Sequence, residues 1–311
     1  GIRDVAVTGV QTCALPISAS FISDKFNIYT TPYRGLEIEF LSFNHLTFNS
    51  DIDTKYCFNF LINKKQTNRY LLIKLVEYFK LDSFDYTWSG IGQTFDMSPI
   101  INEWHEVDTQ CTKFSVELRS KMLSPITLPK KFFNHANQLE TNVSVGRYRT
   151  NLWTWTNIFS QLMPQSAVAL ISESADFQKA SVFTEKTLYA LMALNFPLFI
   201  GGYGHADQLT RMGFDVFDDI IDHSYQYKET LFERCYYAFY NNLELLRNLQ
   251  LVSSLRQQHY IRLIANRTKL FQGQLLQFVN AEVNTWPVEL KEIIQPVWNN
   301  YRLDNHKKFA E

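Results

Sequence analysis

Long apolar runs are missing from this chain. No uninterrupted stretch approaches the roughly 18 residues that a membrane-spanning helix needs, so no membrane span is expected. Excess charge is missing as well. A formal net charge of -1 gives no overall attraction to nucleic acid or an anionic membrane, so nucleic acid is not an expected partner and any anionic ligand must be held by local groups. Cysteine is scarce. Beside Cys13 near the start, Cys57, Cys111 and Cys235 are widely separated and form no metal-ligand spacing, which fits free thiols in a reducing, cytoplasmic setting better than a disulfide framework. The histidines are dispersed, without a helical pair at ligand spacing, so no metal is expected. Gly201-Gly202-Tyr203-Gly204 lacks the dinucleotide-binding spacing, and neither a Walker-type lysine loop nor a Gly-x-Ser-x-Gly elbow occurs. Dinucleotide-dependent, P-loop and serine-hydrolase chemistries therefore have no support, and no cofactor is expected.

The first residues present do not read as protein. In frame, Val7-Thr8-Gly9-Val10-Gln11-Thr12-Cys13-Ala14-Leu15-Pro16-Ile17 is the translation of an indexed sequencing adapter, and Gly1-Ile2-Arg3-Asp4 fits the adapter stretch before the index, which Val5-Ala6 would occupy. Residues 1–18 are accordingly expected to be an adapter-derived artefact that carries neither a targeting signal nor a structural element. Over the whole chain, 46% of residues are hydrophobic and 20% charged, a balance that favours a folded domain over a disordered one.

Asn27 to Phe48 is rich in aromatic and β-branched residues with partial alternation, as in Leu36-Glu37-Ile38-Glu39-Phe40, and reads as short strands, with 19–54 as the remnant of a preceding domain. Lys55 to Ile62 is nearly continuously apolar, as in a strand buried on both faces, and ends in a polar turn. Leu71, Leu72, Leu75, Val76 and Phe79 then recur at helical spacing, with Lys74, Glu77 and Lys80 away from that face. Phe84 to Trp88 reads as a second strand. Strand, helix, strand is the opening of a parallel α/β sheet. Residues 90–165 read as an insert of loops and short helices. Order resumes with a strand at Ala167 to Ile171, a helix capped by Thr184, a strand at Pro197 to Ile200, a helix from His205 stopped at Gly213, a short strand at Phe214 to Phe217, and a long helical tail from about Glu229. The predicted fold is α/β, a parallel Rossmann-like sheet with a helical C-terminal tail. The sheet domain would span 55–250 and the helical extension 251–311.

Glu173 stands at the carboxyl end of one predicted strand, while Thr184, Glu185 and Lys186 open the next helix, at the edge where open α/β sheets bind ligands. A helix N-terminus and a lysine favour an anion, and a carboxylate can accept bonds from sugar hydroxyls. That combination suits a nucleotide-sugar. Strand-Glu173, the Thr184-Glu185-Lys186 helix, the Pro197 strand and its glycine turn resemble, in that order, the donor-binding half of the α1,3-fucosyltransferases, a GT-B glycosyltransferase family. The similarity extends to Phe60-Leu61-Ile62-Asn63 and Arg69 upstream. It covers about Lys55 to Trp88 and Ser166 to Gly204.

The resemblance implies a GT-B sheet and an inverting hexosyltransferase, with a nucleotide-sugar such as GDP-fucose as donor substrate and a glycan hydroxyl as acceptor. Arg69 and Lys186 would hold the donor diphosphate and neutralise it as it departs, without strict need of a metal; Glu173 and Glu185 would contact sugar or ribose hydroxyls, beside Thr184. The catalytic base would sit on the acceptor-side domain, of which 19–54 would be a remnant; Glu37 and Glu39 are carboxylates there, and neither is assigned. Glu173-Ser174-Ala175 stands where the family has Glu-Asn-Ser, and Ser181-Val182-Phe183 where an Asp-Tyr pair precedes the Thr-Glu-Lys, so base and sugar identity stay open.

Gly213-Phe214, with Leu209, Arg211 and Tyr225, is also similar to a pattern in glycosyltransferase-like proteins of phages and environmental bacteria, although a helix stop followed by a core residue accounts for it more simply. Asp215, Asp218, Asp219 and Asp222 could hold a cation, with a solvated loop as the plainer reading. The alternative to a transferase is a non-catalytic α/β structural or interaction protein, a viral one included, in which these polar residues only cap strands and helices.

Overall fold

The computed structural model describes residues 53–62, 67–81, 86–90, 114–123, 163–173, 183, 185–274, 277, 281 and 288. The adapter-like segment, the 19–54 stretch with Glu37 and Glu39, Cys111 and most of the 90–165 insert lie outside them. Four strands, β1 (Tyr56–Ile62), β2 (Tyr86–Gly90), β3 (Ser166–Ile171) and β4 (Phe196–Phe199), form an all-parallel sheet in the order β2-β1-β3-β4. The α/β expectation holds. Helix α1 (Thr67–Tyr78) connects β1 to β2, α2 (Val116–Leu123) lies in the insert, and α3 (Glu185–Met192) connects β3 to β4. After β4 come α4 (His205–Arg211), α5 (Leu231–Asn241), α6 (Leu243–Arg247), α7 (Leu249–Gln258) and α8 (Tyr260–Phe271).

Strand alternation builds two cores. Register places Phe58 beside Val168 and Val168 beside Phe196, and likewise Phe60, Leu170 and Leu198 across the sheet. These side chains face one layer, packed with α1, α5, α6 and α7. Ala169, Ile171 and Phe199 face the other, packed with α3 and α4. Both faces are covered, which is why the strands read as continuous apolar runs. Because β1 leads outward to β2 with its helix on one face, and β3 leads the opposite way to β4 with its helix on the other, the direction of winding reverses between β1 and β3. A crevice at the carboxyl ends of those two neighbours is where open α/β sheets take ligands.

Two expectations need correction. Lys74 is not on a solvated face: it is fully buried, and its ammonium lies 3.3 Å from Glu77, which Lys121 of α2 also approaches at 3.5 Å. Helix α2 covers the side of α1 that the periodicity assigned to water. Phe214 to Phe217 is not a strand. Its backbone is held by other means, with Phe214 N–H donating to Leu209 O, Asp215 N–H to Asn266 Oδ1 and Phe217 N–H to Asp215 Oδ1, and Phe217 adopts φ 62°. The helical tail consists of several successive helices; Asn242 and Asn248 bond nearby backbone groups at two of the breaks, and a Thr230–Glu233 capping box starts α5. Gly213 does stop α4, at φ 87°.

Helix α7 crosses position 250 and packs on the sheet. Its Arg256, fully buried, donates to Ala193 O (2.9 Å), Leu194 O (2.9 Å) and Pro164 O (2.7 Å), and to Thr54 Oγ1 (3.2 Å). It thereby neutralises the carboxyl end of α3, where Leu194 takes the left-handed conformation at φ 58°. Burial pushes the Arg256 guanidinium down to about 9, so it is still a cation at neutral pH, stabilised by those carbonyls. Replacing it strands several buried acceptors. Arg256→Met is expected to lower the unfolding free energy by about 3 kcal/mol, read in urea as a lower midpoint at unchanged slope; an unshifted midpoint would show that the carbonyls find other donors.

Candidate functional site

Parallel strands bring their carboxyl ends to one edge, and with them the first turns of α1 and α3 and the glycine turn after β4. Glu173 sits at the centre of this edge, 3% exposed. Its carbonyl oxygen accepts from Asn68 Nδ2 of α1 at 2.9 Å, and its carboxylate accepts from Thr187 Oγ1 of α3 at 2.6 Å. One residue thus ties together the starts of two helices on opposite faces of the sheet. Its negative charge lies at the amino end of α3, where the helix carries partial positive charge.

The expected cations flank these anchors in the chain. Arg69 follows Asn68 and is 1% exposed; Lys186 precedes Thr187 and is 5% exposed. Both are committed to the interior of the edge rather than to solvent. Glu185 begins α3, but its side chain lies outside those described, as does Thr184 altogether. Among the described residues, the hydroxyl oxygen of Ser172, fully buried beside Glu173, and the Asn68 side-chain oxygen have no hydrogen-bond partner. Buried polar atoms left in this state cost free energy that a polar ligand can return.

The glycine turn is shaped by its residues in ways the motif alone does not reveal. Gly201 adopts φ 81° and Gly204 φ 63°, and a side-chain carbon on Gly202 would lie 2.0 Å from His205 Nδ1. His205 is itself buried, its ring 5.3 Å from Phe183 and 5.4 Å from Phe199. Arg234 of α5, fully buried, donates from Nε to Gly201 O at 2.8 Å and from Nη1 to Lys228 O and Glu229 O at 2.9 Å each. Sequence reasoning misses Asn68, Thr187, His205 and Arg234. Asn68 and Thr187 adjoin the predicted cations; Arg234, 33 residues beyond Gly201, carries no local signal.

Three of the four carboxylates in the acidic run, Asp215, Asp219 and Asp222, are engaged by the protein itself. Arg262 of α8 reaches both Asp215 (2.6 Å) and Asp219 (2.7 Å) with its guanidinium, and Asp222 accepts from Ser224 N–H and Asn241 Nδ2. Among the described residues, no group of three or more His, Cys, Asp or Glu side chains is arranged to hold a metal. An open cavity of 440 Å³ is lined by Asp207, Asp218, Asp219, Asp222, Tyr227 and their neighbours. Its carboxylates suit it poorly to a phosphate, whereas the sheet edge brings Arg69 and Lys186 beside the carboxylate of Glu173.

Behind this cavity a buried relay fixes the edge strand. Tyr225 takes a backbone hydrogen bond from Phe199 and lies 3.3 Å from His223 Nδ1, while His223 Nε2 lies 3.0 Å from Val216 O. A carbonyl can only accept, so Nε2 carries the proton and Nδ1 accepts from the Tyr225 hydroxyl. No helix among the described residues is long and apolar enough to cross a membrane. Compared with family models, curated proteins and solved structures, the chain matches none.

This geometry sets two titrations. Burial pushes His223 below its ordinary value near 6.5, against the pull of Val216 O and Asp218, Asp222 and Asp207. The unfolded chain therefore binds the proton first, and the contribution of His223 to stability is constant above about pH 6.5 and falls as pH drops through that value. His223→Gln should be less stable at pH 7.5, with the gap to the parent narrowing by pH 5; parallel pH curves would contradict it. The Tyr227 hydroxyl, hydrogen-bonded to the Asp207 carboxylate, is pushed up to about 12. Asp207→Asn should return one tyrosine toward 10 in an ultraviolet pH titration, and an unaltered titration curve would mean that the bond is not formed in solution.

Proposed function

We propose that this chain carries the nucleotide-sugar-binding half of a GT-B-type glycosyltransferase, related to the α1,3-fucosyltransferases. The observation that carries the reading is the junction at Glu173. Arg69 and Lys186, far apart in sequence, each adjoin a residue that bonds Glu173 at the carboxyl edge where the winding reverses. In this reading the first turns of α1 and α3 supply backbone N–H groups and partial positive charge for a diphosphate, and Arg69 and Lys186 supply full charges. As the sugar leaves, negative charge grows on the diphosphate, and these groups stabilise it. Glu173 and Glu185 accept from sugar or ribose hydroxyls. Transfer to the acceptor hydroxyl inverts the anomeric centre, with a carboxylate base from the acceptor-side domain removing the proton. A glycan acceptor and a cytoplasmic setting belong to the same proposal.

A second reading draws on burial. Glu173, Arg69 and Lys186 are all nearly inaccessible, and Glu173 is already bonded within the chain, as in a structural protein whose polar residues only cap helices. Calorimetric titration with GDP-fucose, UDP-sugars and ADP-sugars separates the two. Saturable binding that Lys186→Ala weakens by about 10- to 100-fold, the loss of a charge-assisted bond, with little change in melting temperature, is the result expected. No binding to a folded chain, or a Lys186→Ala effect on melting temperature alone, favours the structural reading.

A further inference from the structure

We infer that Tyr203 is the platform on which the heterocyclic base of the nucleotide stacks. The inference rests on the nucleotide-sugar reading and extends it to the part of the ligand that phosphate-holding cations cannot distinguish.

Place is the first argument. Tyr203 lies in the turn that leaves the carboxyl end of β4, and that turn abuts the start of α1: a side-chain carbon built on Gly201 would lie 3.4 Å from Asn68 Cβ, one residue before Arg69. A ligand whose phosphates meet Arg69 has its remaining groups within reach of this turn.

Rigidity is the second. The Arg234 guanidinium carbon lies 6.0 Å from the centre of the Tyr203 ring, and that guanidinium is held by the three main-chain carbonyls of Gly201, Lys228 and Glu229. The Tyr227 ring meets Tyr203 edge-on, at 6.2 Å and 87°, and the Tyr227 hydroxyl is tied to Asp207 of α4. The left-handed glycines 201 and 204 and the Gly202–His205 contact fix the backbone beneath it. An aromatic ring immobilised before binding loses little entropy when a second ring stacks on it.

The third argument is exposure. Tyr203 is half-buried, so part of a ring held by a buried arginine and a neighbouring aromatic ring meets solvent. A held, partly exposed aromatic ring suits stacking against a planar ligand ring. The chemistry of the surroundings selects a base over a phosphate. Asp207 borders the turn, and the carboxylates of Asp218, Asp219 and Asp222 line the cavity that Tyr227 shares; they repel phosphate but tolerate an uncharged ring bearing N–H donors.

The test uses the full chain and ligands without sugar: GDP, UDP, ADP and inorganic pyrophosphate, titrated calorimetrically into the parent, Tyr203→Phe, Tyr203→Leu and Tyr203→Ala, with melting temperatures as the fold control. Tyr203→Phe should bind the preferred nucleoside diphosphate as the parent does, and Tyr203→Leu and Tyr203→Ala about tenfold or more weakly, while pyrophosphate affinity stays the same in all four. Undiminished nucleotide binding by folded Tyr203→Leu overturns the platform and leaves the donor site standing. Equal losses for pyrophosphate and nucleotide also overturn it, because the residue would then act only through the turn. No nucleotide binding by the folded parent overturns the donor reading and the platform with it.

Discussion

The pairing of β1 with β3 is the constraint on which the remaining structure hangs. These two strands are separated by the 90–165 insert in sequence, yet Phe58 registers with Val168 and Phe60 with Leu170, deep between helical layers. Apolar strands covered on both faces have one register that buries every side chain, and slipping it by one residue would exchange the faces. That register fixes where the carboxyl ends fall. It brings the starts of α1 and α3 together at Glu173 and sets the glycine turn beside Asn68.

Buried arginines do a second kind of fixing. Arg256 ties the carboxyl end of α3 to α7, and Arg234 ties the turn after β4 to α5. Each directs its charge at main-chain carbonyls that no strand or helix satisfies, and the planar donor fork lets one side chain hold several at fixed angles. The edge strand and the helix before it are thereby clamped from the helical tail.

Features that depend on local pattern are legible in the residues alone. The four strands, the α1 and α3 helices, the Gly213 stop and the carboxyl-edge location of Glu173 all derive from apolar runs, helical periodicity and punctuating residues. Periodicity misplaces Lys74 because the pattern on one helix does not reveal that α2 covers its other side. Phe214 to Phe217 has strand composition, but its N–H groups are taken by Asn266 and by its own Asp215, a choice made 51 residues away. Arg234 and Arg256 are invisible for the same reason: the backbone acceptors that tie them to the sheet, Gly201 O for one and Pro164, Ala193 and Leu194 O for the other, are remote in sequence. At the edge itself, sequence marks the charged residues, while the Asn68 and Thr187 bonds that join them emerge only from the sheet order.

The relay from Phe199 through Tyr225 and His223 to Val216 has a consequence for how copies of this chain behave toward one another. In the described sheet β4 is a terminal strand, and terminal strands offer unpaired main-chain groups to any other strand that arrives. Here the strand is only four residues long, Pro197 removes one donor, and the Tyr225 oxygen occupies the Phe199 backbone donor. The arrangement that orients a buried histidine also closes the β4 border to an arriving strand, so its loss would leave a main-chain donor there open to pairing.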